Sequence, residues 1–468
     1  MKRVLLTVHK FFPEHRAGTE VLVLKVAQEL KWRGYQVVVL TANPPDFDAR
    51  RKNNTTSDRE ELINYDYEGI QVYCLTEEAR LKHNRFANEH YHSYLKQHYK
   101  KILDIVAPDL VHCFHLENLS ASFIEEANAR KIPMIYSATD FWLICPIVQL
   151  RRPDGSNCLG PAPLGLNCLS CYTPRTMPAK AEFDEAIMDK YSDAWRKIQT
   201  LPPLVSNFLT TSAYLAYLAK KFPRAMQATM ERAIVLKRYA NTISAITVPT
   251  YLMQDLFVRN GLSQQIIHYI PYGVDTQSLK KGAYKSESSD LRFVFIGALS
   301  EHKGPDLLIK AFLQLPVDSK ATLTLYGDLN QFPKYGKYLQ KLVAADVPLA
   351  KKIIFAGVFP NDQMGEIFQN IDVLVVPSRW YENTPLVIQS ALAAKTPVIA
   401  TNLGGMSELI KHGQNGLLFD LDDCQSLSDQ LLKLLKDRTL VMKLRDNIQP
   451  ERSIVQMVDQ LELLYRSA

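Results

Sequence analysis

The sequence predicts an α/β protein built from two parallel-sheet halves, and three observations carry that expectation. Short runs of β-branched and apolar residues alternate with helix-length segments, the pattern of βα units. The alternation stops in a polar stretch near residue 280 and then begins again. In the second half an apolar run at 372–376 passes through Pro377-Ser378 and an exposed Trp380-Tyr381-Glu382-Asn383 loop into a helix opened by Pro385. Proline there costs no hydrogen bond.

In the first half, strands are expected at 4–8, 37–40, 72–75, 110–113 and 134–137, and after a helix-rich stretch at 245–249 and 266–270. The segment Ile270-Pro271-Tyr272-Gly273-Val274-Asp275, followed by polar residues 280–290, reads as a hinge. Strands of the second half are expected at 293–296, 323–326, 353–355, 373–376, 398–400 and 417–419, with helices between and a last helix over about 451–466. These runs set the expected domains at 1–275 and 290–448, with a closing segment at 449–468. No internal sequence repeat links the halves. Their likeness is one of pattern.

A chain of 468 residues accommodates two or three domains. With 47% hydrophobic and 22% charged residues it is neither disordered nor fibrous. Its apolar runs fall short of the roughly 18 residues that a membrane span needs. The opening Met1-Lys2-Arg3 and the apolar run behind it read as a first buried strand rather than a signal peptide, so a cytoplasmic protein is expected. The net charge of +6 is a mild excess. Bases gather among aromatics at 80–102 and 217–238, two stretches that look helical and suit an anionic membrane surface, here its inner face. Plain solvent-exposed helices fit them equally well. No nucleic-acid-binding module accompanies the charge.

The loop at 377–385 sits where a strand's carboxyl end meets a helix start. In an open α/β sheet that is where ligands bind, and the free amides and positive dipole end of the helix favour an anion such as pyrophosphate. The run PSRWYENTPLVIQSALAAKTPVIAT at 377–401 resembles the nucleotide-sugar signature of family-4 glycosyltransferases, retaining enzymes of the GT-B fold. In that signature a glutamate, seven residues and a second glutamate frame the donor. Glu382 matches the first glutamate, which holds the donor sugar's hydroxyls. Ser390 stands where the second would grip the ribose, and Lys395 where a small residue is usual. The resemblance implies two Rossmann-like domains facing across a cleft, with the last helix crossing back to the N-terminal domain.

Transfer from a nucleotide sugar needs a receptacle for the leaving diphosphate, because charge builds there as the anomeric bond breaks. Glu301-His302-Lys303-Gly304-Pro305 follows the strand ending in Phe295-Ile296-Gly297 and places Lys303 as a phosphate partner. Relatives carry Lys-Gly at this point. Many also carry an arginine after the first glycine, where this chain has Ala298, so the load shifts to Lys303 and to the amides near Asn383, Thr384, Leu386 and Val387. Gly18, after the first strand, lets backbone approach the phosphates closely. The resemblance assigns the donor sugar's reaction centre to His115. His112 reads as a core histidine. Thr139 stands where relatives place a histidine before Asp140, so no general base is visible; front-face attack, with the leaving phosphate taking the acceptor's proton, needs none. Gly357-Val358-Phe359 offers Phe359 and main-chain groups to the base. The segment 401–408 shapes the wall near the phosphates, and 413–419 is structural.

Cys145, Cys158, Cys168 and Cys171 form C-x12-C-x9-C-x2-C in a Pro- and Gly-rich loop at 145–172 with little to pack around. A structural tetrathiolate zinc, an iron–sulfur centre and unliganded thiols all remain open. Transfer itself calls for no cofactor. The expected activity is that of a retaining, metal-independent hexosyltransferase acting on a saccharide or lipid-linked acceptor. A UDP-sugar such as UDP-glucose is the favoured donor and a GDP-sugar the alternative. The competing reading takes Ser390, Ala298 and Thr139 as marks of lost catalysis in a sugar-nucleotide-binding protein or partner subunit.

Overall fold

The computed structural model describes residues 2–42, 61–76, 79, 87, 89–169, 171, 193–194, 196–198, 200–221, 223–344 and 348–468. Packing divides them into two compact units. The first comprises Met1–Arg16, Tyr35–Ile246 and Leu256–Ile266, and the second Ala17–Gly34, Thr247–Asp255 and Ile267–Ala468.

In the first unit, strands β1 (Arg3–Thr7), β2 (Gln36–Ala42), β3 (Leu62–Tyr67), β4 (Ile70–Leu75), β5 (Leu110–Cys113), β6 (Met134–Ser137) and β7 (Ala245–Val248, of which the first two residues belong here) lie in the order β3-β4-β2-β1-β5-β6-β7. Val4, Leu5, Leu6 and Thr7 are all fully buried. A parallel strand covered on both faces has to be apolar throughout. The expected strands appear with ends shifted by a residue or two. β3 was not expected. It pairs antiparallel with β4 through a Glu68-Gly69 turn in which both residues have positive φ, the geometry that matches the twist of a hairpin. Its sequence, Leu-Ile-Asn-Tyr-Asp-Tyr, lies at the sheet edge with no fully buried residue, so it carries no apolar run to read.

In the second unit, β8 (Ile267–Tyr269) is followed by β9 (Leu291–Ile296), β10 (Ala321–Tyr326), β11 (Ile353–Gly357), β12 (Val373–Val376), β13 (Val398–Thr401) and β14 (Gly416–Phe419). The last six form a wholly parallel sheet in the order β11-β10-β9-β12-β13-β14. Alternate side chains feed two cores. Phe293, Phe295, Val373, Val375 and Ile399 pack under helices 305–313 and 424–436. Val294, Leu374, Val376, Val398 and Ala400 pack under helices 364–369, 386–393 and 404–409. The period of two along each strand assigns every residue to its face.

The polar stretch 280–290, expected as a hinge, is packed onto the second unit. A Cβ on Gly282 would fall 2.6 Å from Phe368 Cβ, and the Lys285 ammonium donates to the Phe368 and Ala394 carbonyls and the Thr396 hydroxyl. Burial, with Arg445 nearby, pushes Lys285 down to about 7. Composition marks this segment as polar, but the carbonyls that receive the ammonium come from distant parts of the chain.

Among the described residues no helix is long and apolar enough to cross a membrane. The basic stretch 217–238 falls on helices Pro203–Lys221 and Pro223–Ala240. Of the stretch 80–102, residues 80–86 and 88 lie outside the described residues, and its end enters helix Leu95–Val106.

The last helix, Ile454–Ser467, starts in a capping box made by Ser453 and Gln456. It packs on helix Gly18–Trp32 of the same unit, where the Arg33 guanidinium binds Glu29 (2.8 Å), Asp459 (2.8 Å) and Glu462 (2.6 Å). Removing a largely buried cation leaves its carboxylates unpaired. Arg33→Ala should therefore destabilise the second unit by roughly 2 kcal/mol, read as a lower denaturation midpoint; an unchanged midpoint would show the cluster to be decorative.

Candidate functional site

In the six-stranded sheet the order of connection reverses between β9 and β12. Chains leaving these neighbours depart in opposite directions and open a crevice at the strand carboxyl ends. After β9 the chain makes a turn at Glu301–Lys303 and enters helix Pro305–Leu313 through Gly304. Gly304 has φ +69°, and a Cβ there would lie 2.1 Å from the Pro377 carbonyl oxygen. Only glycine can press the backbone so close to the end of β12. The turn beside Lys303 is thereby locked against the loop that follows.

Arg379 fastens that loop from the other side. Its guanidinium forks onto Asp306 (2.6 and 3.1 Å), reaches Asp422 (2.6 Å) and donates to the Glu301 carbonyl, while its main-chain N–H donates to His302. The Tyr335 hydroxyl donates to the same Asp306 carboxylate at 2.6 Å. Burial alone would raise the Asp306 pKa, but the hydrogen bonds from Arg379 and Tyr335 outweigh it and hold the carboxyl at about 2.

Inside this frame Glu382 is 6% exposed, and three donors converge on its Oε1. They are Lys303 Nζ at 2.6 Å, Ser378 Oγ at 2.8 Å and Trp380 Nε1 at 2.9 Å. Lys303 also stands over the Trp380 ring. Burial pushes the Glu382 carboxyl up, and the Lys303 charge with these hydrogen bonds more than offsets it, so the group stays ionised.

Helix Leu386–Ala393 begins directly behind. Pro385 is its cap rather than its first helical residue, no side chain caps the start, and the Pro385 carbonyl accepts from the Ile388 amide. The Leu386 and Val387 amides are among those that a helix start leaves without an intrahelical partner. Thr384 is 93% buried, and its hydroxyl has no hydrogen-bond partner among the described residues. Gly405 donates to the Glu382 carbonyl, and a Cβ there would fall 1.5 Å from the Asn383 carbonyl oxygen. A Cβ on Gly18 would stand 3.6 Å from Leu386, so that glycine lies beside the same helix start.

Glu382, Lys303, Asn383, Thr384, Leu386, Val387 and Gly18 thus gather in one unit. Ser390 is one turn further along the helix and half-buried. Phe359 follows β11, two strands beyond β9, edge-on to Tyr326 at 5.0 Å. Lys395 takes φ +50°, the left-handed conformation that glycine adopts most easily, and donates to the Ile448 carbonyl.

The first unit has its own reversal, between β1 and β5. His9, after β1, lies 4.4 Å ring to ring from His115, after β5. His115 Nδ1 accepts from the Glu117 amide, which leaves Nε2 to carry the proton shared with Asp140 at 2.5 Å. Both ring nitrogens are engaged. Burial, with His115 and Lys10 close by, holds His9 well below the usual imidazole range. His112 is fully buried against Ser137 and pushed by burial down to about 3, as befits a core residue.

Sequence reasoning assigned no role to Ser378, Trp380, Arg379 with Asp306, His9 or Asp140. Asp140 had a signal, since it follows the strand next to β5. The Arg379–Asp306 pair, 73 positions apart, had none.

These two parallel-sheet α/β units are of the GT-B class of fold. Residues 277–451, all in the second unit, match the family model of Glycosyl transferases group 1. N-acetyl-alpha-D-glucosaminyl L-malate synthase of Bacillus anthracis is 28% identical over 195 residues, 41% of this chain and 49% of that protein. D-inositol 3-phosphate glycosyltransferase of Acidothermus cellulolyticus (strain ATCC 43068 / DSM 8971 / 11B) is 28% identical over 187 residues, 37% of this chain and 42% of that protein. The chain spans about half the length of the curated relatives it matches. Among solved structures, HepE of Anabaena in complex with UDP and glucose superposes over all of both chains with a TM-score of 0.63 and 17% identity, a likeness of fold. Together these similarities relate the second unit to the group 1 glycosyl transferases and the fold of the whole to GT-B.

Asp306 tests the frame. Its carboxyl is depressed in the folded protein, so its contribution is complete above the ordinary carboxylate pKa near 4 and is lost as pH falls toward 2. Asp306→Asn should cost roughly 1–2 kcal/mol at neutral pH and flatten the acid limb between about pH 4 and pH 2. Parallel acid limbs for the two proteins would refute the assignment.

Proposed function

We propose that this chain moves a hexose from a nucleotide sugar to a saccharide or lipid-linked saccharide acceptor, with retention at the anomeric carbon and no metal ion in the transfer step. The observation that carries the proposal is the ion pair of half-buried Lys303 with buried Glu382, beside the unpartnered Thr384 hydroxyl and an uncapped helix start. One cation, a hydroxyl and main-chain N–H groups converge where a diphosphate finds its charge answered. The carboxylate next to them suits sugar hydroxyls, which donate hydrogen bonds to it.

In the proposed step the bond between the anomeric carbon and the diphosphate oxygen breaks, and its electron pair stays on the diphosphate. The acceptor oxygen bonds the same face of the carbon, and its proton passes to the leaving oxygen. Lys303 and the helix amides stabilise the charge that develops. Glu382, held by Ser378 and Trp380, orients the sugar. The resemblance assigns His115, fixed by Asp140, to the donor sugar's reaction centre. The setting we propose is cytoplasmic, with the basic stretches 80–102 and 217–238 resting on the anionic inner face of a membrane.

A uridine donor is favoured by HepE, which was solved with UDP and glucose, and UDP-glucose is the first donor to try. A ligand that binds only the folded state raises its melting point by mass action. UDP and UDP-glucose are expected to shift it by several degrees and more than GDP; a larger GDP shift would reverse the choice of base. Lys303→Ala should weaken UDP binding by roughly tenfold to a hundredfold. Slow release of UDP from UDP-glucose should vanish in Glu382→Ala. Tight nucleotide binding without turnover on any acceptor would instead support a binding protein or partner subunit.

A further inference from the structure

The loop that carries four cysteines in the first unit lies apart from the chemistry above, and the fold gathers all four. Cys145, Cys158, Cys168 and Cys171 line one pocket with Ile144, Leu150 and Asn167. The pocket has room for little more than one water-sized sphere. An ion fits such a space; a nucleotide or a sugar does not.

The backbone around the sulfurs is organised as well. Residues 150–158 form a hairpin through the Arg151–Asn157 bridge, closed by Cys158 N–H donating to Leu150 at 2.6 Å, which brings the first two cysteines to the same pocket. The Gly160 amide donates to the Cys158 sulfur at 3.4 Å, and the Asn167 side-chain amide reaches the same atom at 3.9 Å. Gly160 has φ +117°, and a Cβ there would strike the Asn260 side chain. Donors aimed at sulfur are the outer-shell support that metal-bound thiolates need. Arg232 holds the chain just ahead of the loop by donating to the Trp142 carbonyl, and also donates to Glu89, both at 2.7 Å.

We propose that these four thiolates bind one zinc ion that holds the loop together. The role is structural, since four sulfurs fill a tetrahedral ion and leave no open position. Among the described residues no three such side chains already stand at the spacing of a finished metal cage, so the loop closes on the ion as it binds. Each bound thiolate forms a metal–sulfur bond and releases its proton to solvent. Binding is then coupled to ordering of the loop. The proposal is independent of the transfer reaction and is read without it.

The test uses the full chain, purified without chelator and passed through a desalting column, with zinc, iron, sulfide and accessible thiols measured on the same sample. About one zinc per chain is expected. Stripping it should lower the melting point and expose the loop to protease, and added zinc chloride should reverse both effects. Cys158→Ser with Cys171→Ser should cut retained zinc about tenfold, while Cys424→Ser, outside the loop, should keep it. Zinc at background together with no response to added zinc would overturn the proposal. So would iron and sulfide with visible absorption, or thiols recovered as disulfides.

Discussion

Two like strands that leave a sheet in opposite directions cannot close the space between them, and this constraint governs the molecule. In each unit the first and fourth parallel strands are neighbours, β1 with β5 and β9 with β12. Main-chain donors and helix starts at their carboxyl ends therefore remain without sheet partners. Polar side chains that would be costly elsewhere collect there. Lys303 and Glu382 flank one reversal, and His9 and His115 flank the other.

The second cluster shows how such a site is kept in shape. The Lys303–Glu382 pair adds little to stability, because desolvating the Glu382 carboxylate offsets much of the attraction. The pair has to be supported from outside. Gly304, with no Cβ, lets the Lys303 turn touch Pro377, and Arg379 clamps the opposite side through Asp306 and Asp422. Ser378 and Trp380 then keep Glu382 in place independently of Lys303. An anion arriving at the helix start can compete for the ammonium without releasing the carboxylate. A half-buried cation beside a buried anion suits the proposed ligand, which pairs a diphosphate with a polyhydroxyl group.

The first unit solves a different problem. His115 has both nitrogens engaged, by Asp140 and the Glu117 amide, so its ring plane and tautomer are set before any ligand arrives. Packing His9 against it demands that the pair not share two charges, and burial holds His9 neutral.

Most strands were legible in the sequence because a parallel strand buried on both faces must be an apolar run, and Glu382 and Lys303 were legible because their neighbours fall at strand ends and before prolines. β3 escaped because an edge strand needs no such run, and the segment 280–290 misled because its polarity hides a buried lysine whose carbonyl partners are far away in sequence. The four cysteines announced themselves by spacing, but only the hairpin at 150–158 brings the first two to one pocket. Local chemistry along the chain thus determined which segments become strands, where helices start and which residue types wait at those junctions. The tertiary structure alone decided which junctions meet, since contacts such as Arg379 with Asp306 or His115 with Asp140 depend on strand order, a property of the whole sheet that no window of sequence contains.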